Sequence, residues 1–241
     1  MHRSALTILM SSWAAARAIR CYHATESRLG VVQAPAILPG VPSRDEVLAV
    51  RSGAQKTLRC LIVGNDWLRK GADIALEAVH KVRGMGLDVR LTTLGMKAPA
   101  ELQNESWLEI LPPLQKGVPE EYAKISQIFL NSDVLFLPSR ADFSPHVIAE
   151  AYAFGLPVIG SPAGAIPEMI EHGQTGFVTR RIDDVDEYAQ LLYQLAAQPG
   201  LLYHMAIESR NKYEAEFALP VAARKLVASL EKVCYQGGTA Q

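Results

Sequence analysis

Asp142 and Glu150 stand with seven residues between them in Asp142-Phe143-Ser144-Pro145-His146-Val147-Ile148-Ala149-Glu150. Carboxylates accept hydrogen bonds from hydroxyl groups, so two of them at one crevice can grip the alcohols of a sugar or a ribose. Further upstream, Gly64-Asn65-Asp66-Trp67-Leu68-Arg69-Lys70-Gly71 sets two cations side by side, with Gly64 permitting a tight turn. Paired cations can hold a diphosphate, and can neutralise charge on a departing one without a metal. Each pair taken alone also fits a plainer role: the acids as a solvated helix face, the cations as a solvated helix start. No GxxxxGK[ST] and no GxGxxG occurs, so neither a P-loop nor a dinucleotide fingerprint is present.

The elements around the acids decide what they can reach. An apolar run from Val134 to Leu137 reads as a strand that stops at Pro138-Ser139. A helix beginning near Pro145 or His146 then carries Glu150 in its first turns, and Gly155 leads into a strand from Pro157 to Gly160. This order puts Asp142 in the loop at a strand's carboxyl end, which is where ligands bind in open α/β sheets. The start of the helix, from Ser144 to Val147, offers free backbone N–H groups and a positive dipole end, which suits phosphate. Glu150 is followed by the small Ala151 and Ala153 on a helix expected to be largely buried, where a charge needs a partner. In the next loop, Ser161 to Glu168, Gly164 either lets backbone approach a ligand closely or makes a simple turn. His146 reads as a general base or, beside Pro145, as a positioning or surface residue. Trp13, Trp67 and Trp107 read as packing residues.

The 241 residues are 49% hydrophobic and 20% charged, the balance of a globular protein with a full core. A net charge of −1 gives no electrostatic reason to expect nucleic acid as a partner. Cys21, Cys60 and Cys234 show no CxxC spacing, which predicts a reducing compartment and no metal site. The first residues have the outline of a signal peptide, His2-Arg3 followed by Ala5 to Met10. Ser11, Ser12 and Trp13 interrupt it, and the simpler expectation is a strand from Leu6 to Met10 and a helix from Ser12 to about Tyr22. Val31 to Leu38 reads as extended, and Ser43 to Gln55 as a polar connector. From Thr57 strand and helix alternate, which predicts a parallel α/β sheet flanked by helices. Asp183 is the expected cap of a helix carrying Val185, Tyr188, Ala189, Leu192 and Leu195 on one face. Two helices, about Leu201 to Glu216 and Val221 to Val233, are expected to finish the chain.

Taken together, these segments resemble the retaining glycosyltransferases of family 4, with the GT-B architecture of two Rossmann-like domains. The blocks that carry the resemblance are Asp142 through Glu150-Ala151-Tyr152-Ala153-Phe154-Gly155-Leu156-Pro157-Val158-Ile159, Ala163-Gly164-Ala165-Ile166-Pro167-Glu168, Gly173-Gln174-Thr175-Gly176-Phe177-Val178 and Val63 through Gly71. They run in order over roughly residues 57 to 235. The resemblance implies a nucleotide-sugar donor as co-substrate, no other cofactor, no metal, and retention of the anomeric configuration. It implies that Lys70 with Arg69 holds the diphosphate at the Gly64 turn and that Asp142 faces the donor sugar. The backbone of Ser144, Pro145, His146 and Val147 would meet phosphate, and Glu150 the ribose hydroxyls. Two positions depart from the pattern: Asp142 stands where the family usually has Glu, and Asn65 where it usually has Arg, so Arg69 would substitute. Residues 1–42 read as the end of an N-terminal domain and its linker, and 43–241 as the Rossmann-like donor-binding domain, one half of a GT-B fold. A truncated or split transferase follows as an expectation, with a separate N-terminal half or self-association through uncovered apolar surface. The acceptor would be a saccharide or lipid-linked saccharide, and the location cytoplasmic or peripheral to the membrane. A nucleotide-sugar binding module without turnover is the alternative.

Overall fold

The structure, a computed structural model, describes residues 5–53, 56–99, 102 and 105–237, with side chains described through residue 231. His2, Arg3, Gln55 and the Cys234 thiol therefore lie outside the described residues. A small parallel unit comes first: β1 (Thr7–Leu9), α1 (Ser12–Tyr22) and β2 (Leu29–Val31), with β1 paired to β2. Ser11 caps α1, its hydroxyl accepting from the Ala14 N–H at 3.1 Å. The chain then runs extended, burying Val32, Ala34 and Ala36 at alternate positions, and the Ala36 N–H bonds the Phe217 carbonyl at 3.0 Å.

Six parallel strands form the main sheet: β3 (Thr57–Val63), β4 (Asp88–Leu94), β5 (Leu108–Leu111), β6 (Val134–Leu137), β7 (Val158–Gly160) and β8 (Gly176–Val178). Their spatial order is β5-β4-β3-β6-β7-β8. The chain builds outward from β3 to one edge, then returns to the other side of β3 with β6. This is the doubly wound order, and β3 and β6 flank its switch point. Every residue of β6 is buried, as an apolar run covered on both faces requires. One core lies against α3 (Ala72–Gly84) and α7 (Val185–Ala197), and the other against α4 (Pro119–Leu130) and α5 (His146–Ala153).

Residues 44–51 are not the polar connector that their composition suggests. They form α2 (Arg44–Arg51), which buries Val47 and Arg51. The signal was there to read: Ser43 and Glu46 make a reciprocal capping box. Arg51 closes the α2 turn inside the protein, where its guanidinium donates to the carbonyls of Phe129 at 2.9 Å, Leu130 at 3.1 Å, Ser132 and Phe154 at 3.1 Å. These are the unsatisfied ends of α4 and α5, so one side chain closes two helices. Burial pulls the guanidinium down to about 10, against the opposing pull of Asp133. The cap of α7 is Asp184, whose carboxylate accepts from the Glu187 N–H at 3.0 Å, and not Asp183, one residue too early to reach that donor.

After α6 (Ile166–Met169), α8 (Pro199–Lys212) passes through a π turn at Tyr213–Phe217 into α9 (Leu219–Gly237). α9 leaves Leu219, Val227 and Leu230 exposed. Among the described residues no helix is long and apolar enough to cross a membrane.

Candidate active site

Lys70 lies in the turn after β3, and the turn's geometry explains how it comes to be buried. Asp66 accepts the Arg69 N–H at 2.9 Å and folds the segment back. Gly71 then takes φ 72°, a left-handed conformation open to glycine at little cost, with Pro138 at the end of β6 packed on its bare Cα. A Cβ built there would sit 2.0 Å from the Pro138 carbonyl oxygen. Gly64 also has no room for a side chain, because the Lys70 stem passes 2.6 Å from where its Cβ would be. The naked strand end is therefore the floor over which Lys70 runs. Gly71→Ala is expected to cost at least ~2 kcal/mol from the left-handed backbone and the collision together, visible as a lower melting temperature. An unchanged melting temperature would contradict this packing.

Lys70 Nζ meets Asp142 Oδ2 at 2.5 Å, the pair joining residues 72 apart in sequence across the switch point. Both side chains are mostly enclosed, and such a pair holds only when each charge has its partner. Arg69 reaches Asn65 Oδ1 at 3.1 Å and the Ala141 carbonyl at 3.3 Å. Its guanidinium thus stands over the position where the resemblance expects an arginine.

Glu150, at 2% exposure, belongs to the first turns of α5, and Lys116 donates to its Oε1. The other carboxylate oxygen receives no hydrogen bond among the described residues. Gly64, Asn65, Arg69, Lys70, Lys116 and Glu150 line one cleft of about 380 Å³ at the carboxyl ends of β3 and β4. Lys116 is the residue that sequence reasoning missed. It lies on the loop between β5 and α4, and nothing in its surroundings in the chain points to Glu150.

The remaining expected residues do not line this cleft. Asp142 is joined to it through Lys70, and its carbonyl accepts the Ala165 N–H at 3.3 Å. Gly164, at φ 56°, packs so closely on that carbonyl that a Cβ would lie 1.8 Å from the oxygen. The Ser144 hydroxyl donates to the Phe143 carbonyl at 2.7 Å. His146 Nδ1 lies 2.8 Å from the Pro35 carbonyl, which selects the tautomer protonated there and ties α5 to the extended segment. Pro145 and Val147 are buried. α5 has no side-chain cap, and the Pro145 carbonyl accepts the Ile148 N–H at 3.0 Å. The N–H groups of His146 and Val147 take no hydrogen bond among the described residues.

The family model for glycosyl transferases group 1 matches residues 57–198, the span that builds this sheet and cleft. The chain belongs to that family. This member of the group 1 family is 30% identical over 196 residues to the amylovoran biosynthesis glycosyltransferase AmsK of Erwinia amylovora, covering 77% of the chain and 47% of the relative. It is 29% identical over 181 residues to spore coat protein SA of Bacillus subtilis, covering 71% of the chain and 48% of that protein. The chain thus spans less than half the length of either. Among solved structures, Anabaena Alr3699/HepE in complex with UDP and glucose superposes with a TM-score of 0.74 at 19% identity, over 94% of this chain and 63% of that one. The fold of the group 1 chain is accordingly α/β and Rossmann-like, a parallel sheet flanked by helices of the kind that makes one half of a GT-B fold.

Proposed function

We propose that the chain is the donor-binding lobe of a retaining, metal-independent glycosyltransferase of family 4. It would move a sugar from a nucleotide-sugar to a saccharide or lipid-linked saccharide. The observation that carries this reading is that Lys70 and Glu150 line a single cleft at the carboxyl end of β3. Lys70 and Arg69 offer cationic donors to a diphosphate, and the N–H groups at the start of α5 offer two more. Glu150, with one oxygen unclaimed, accepts from the ribose hydroxyls. Asp142, held beside Lys70, faces the transferred sugar. The cations offset charge on the departing diphosphate as the bond to the sugar breaks. That HepE was solved with UDP and glucose bound supports a nucleotide-sugar as the ligand.

In this reading residues 1–42 belong to the acceptor lobe and its linker, and residues 43–241 to the donor lobe. A second lobe, from another polypeptide segment, completes the cleft and excludes water from it. Calorimetry with uridine, guanosine and adenosine diphosphate sugars tests the donor site, and transfer assayed after adding a candidate N-terminal half tests turnover. Donor binding without transfer under any pairing would leave a binding module. No binding to any of the three would remove the reading.

Glu150→Gln is expected to weaken the preferred nucleotide about 10-fold, since a bond to a charged acceptor contributes roughly 1.5–3 kcal/mol. The loss should shrink with the 2′-deoxy nucleotide, which has one hydroxyl fewer to grip. Equal losses with both nucleotides would separate Glu150 from the ribose.

A further inference from the structure

Phe143 follows Asp142 directly and leaves 66% of its surface exposed. Its backbone, in contrast, is fixed from several sides. The Phe143 carbonyl accepts from Ser144 Oγ at 2.7 Å and from Ser11 Oγ at 3.4 Å. The preceding carbonyl, of Asp142, is held by the Ala165 N–H and packs on Gly164. The ring itself is braced by Trp13, their centroids 5.5 Å apart and the planes tilted by 38°.

Trp13 is fixed in turn. The Glu168 carboxylate accepts the Ser12 N–H at 2.9 Å and the Trp13 N–H at 3.0 Å, clamping the start of α1 onto α6. The Arg17 guanidinium stands over the indole at 5.7 Å. An apolar ring that merely decorated a surface loop would not need two hydroxyls, a carboxylate clamp and a second aromatic ring to aim it.

We propose that Phe143, braced by Trp13, is a stacking platform for a pyranose ring of the acceptor saccharide. This rests on the reading of the neighbouring cleft as the donor site. The C–H face of a pyranose is apolar and slightly positive, and the face of an aromatic ring is electron-rich, so the two stack. The platform adjoins Asp142, which faces the transferred sugar, and α1, which belongs to the acceptor side. An acceptor ring stacked there is presented to the sugar it receives.

Saturation-transfer NMR on the chain tests this, with methyl glucoside, methyl galactoside, methyl mannoside and N-acetylglucosamine as probes at saturating uridine, guanosine or adenosine diphosphate sugar. At least one probe is expected to give saturation transfer to its ring C–H protons. Phe143→Ala and Phe143→Leu are expected to reduce that signal about five-fold, and Phe143→Tyr to retain it, with nucleotide-sugar affinity within two-fold of wild type in all three. Absence of signal from every pyranoside in wild type overturns the platform, as does a signal unchanged in Phe143→Ala. A signal seen with the nucleotide diphosphate but lost with the nucleotide-sugar also overturns it, because the probe then occupies the donor-sugar position. Failure of the wild type to bind any nucleotide is a different result, and overturns the donor site itself.

Discussion

Lys70→Ala is expected to weaken binding of the preferred nucleotide diphosphate about 100-fold. A charge-assisted hydrogen bond contributes roughly 1.5–3 kcal/mol, and the loss here lies at the upper end of that range. Two effects combine in this variant. The ammonium that meets phosphate in the proposed site is gone, and Asp142, which it neutralised at 2.5 Å, is left as an unpaired anion beside a polyanionic ligand. Asp142→Asn separates them, since it keeps the cation and removes the opposing charge, and it is expected to change diphosphate affinity by less than 10-fold. Lys70→Arg should recover only part of the loss, because the passage over Gly64 is filled by an unbranched stem and the guanidinium fork is wider. Calorimetry on the four proteins decides the matter. Wild-type affinity in Lys70→Ala would show that the diphosphate lies elsewhere.

The second large effect is on stability. Arg51→Met should lower the unfolding free energy by about 3–5 kcal/mol and the melting temperature by roughly 10 °C. The methionine fills much of the volume, but the carbonyls of Phe129, Leu130, Ser132 and Phe154 lose their donor in a buried place. Burial disfavours the charge of this arginine, so its worth lies in the acceptors it satisfies more than in attraction to Asp133. Arg51→Lys should be nearly as damaging, because one compact ammonium cannot reach four carbonyls spread across two helix ends. Denaturant unfolding of the three proteins measures it. Lysine at wild-type stability would refute the multidentate role.

Most of the sheet was legible in the sequence, because each strand and helix carries its own local pattern. The bounds of β5 and α4 follow from short apolar runs and from Pro119 at a first helical position. The helix start near Pro145 or His146 is also where α5 begins. What local pattern does not contain is the order of strands. Lys70 and Asp142 could each be singled out, yet their contact depends on β3 lying beside β6, which only the assembled sheet provides. Lys116 was invisible for the same reason, being brought to Glu150 by the fold of a loop from the sheet's far edge. α2 is a different case. Its polar composition outweighed a capping box that was present in the letters, and Arg51, which looks like an ordinary surface cation, proved to be internal.

The two ends of the sheet differ in a way that reaches beyond this site. At the amino end of β6 the Arg51 guanidinium and the Arg59–Asp133 pair, at 2.8 Å, stitch neighbouring elements shut. At the carboxyl end β3 and β4 run out into bare glycine, Gly64 and Gly95, and a cleft lined by Lys70, Lys116 and Glu150. Damage should therefore sort by geography: lesions at the stitched margin would be felt by the whole molecule through its melting, whereas changes at the wet margin that spare Gly71 and the Lys70–Asp142 pair would leave the melting as it is.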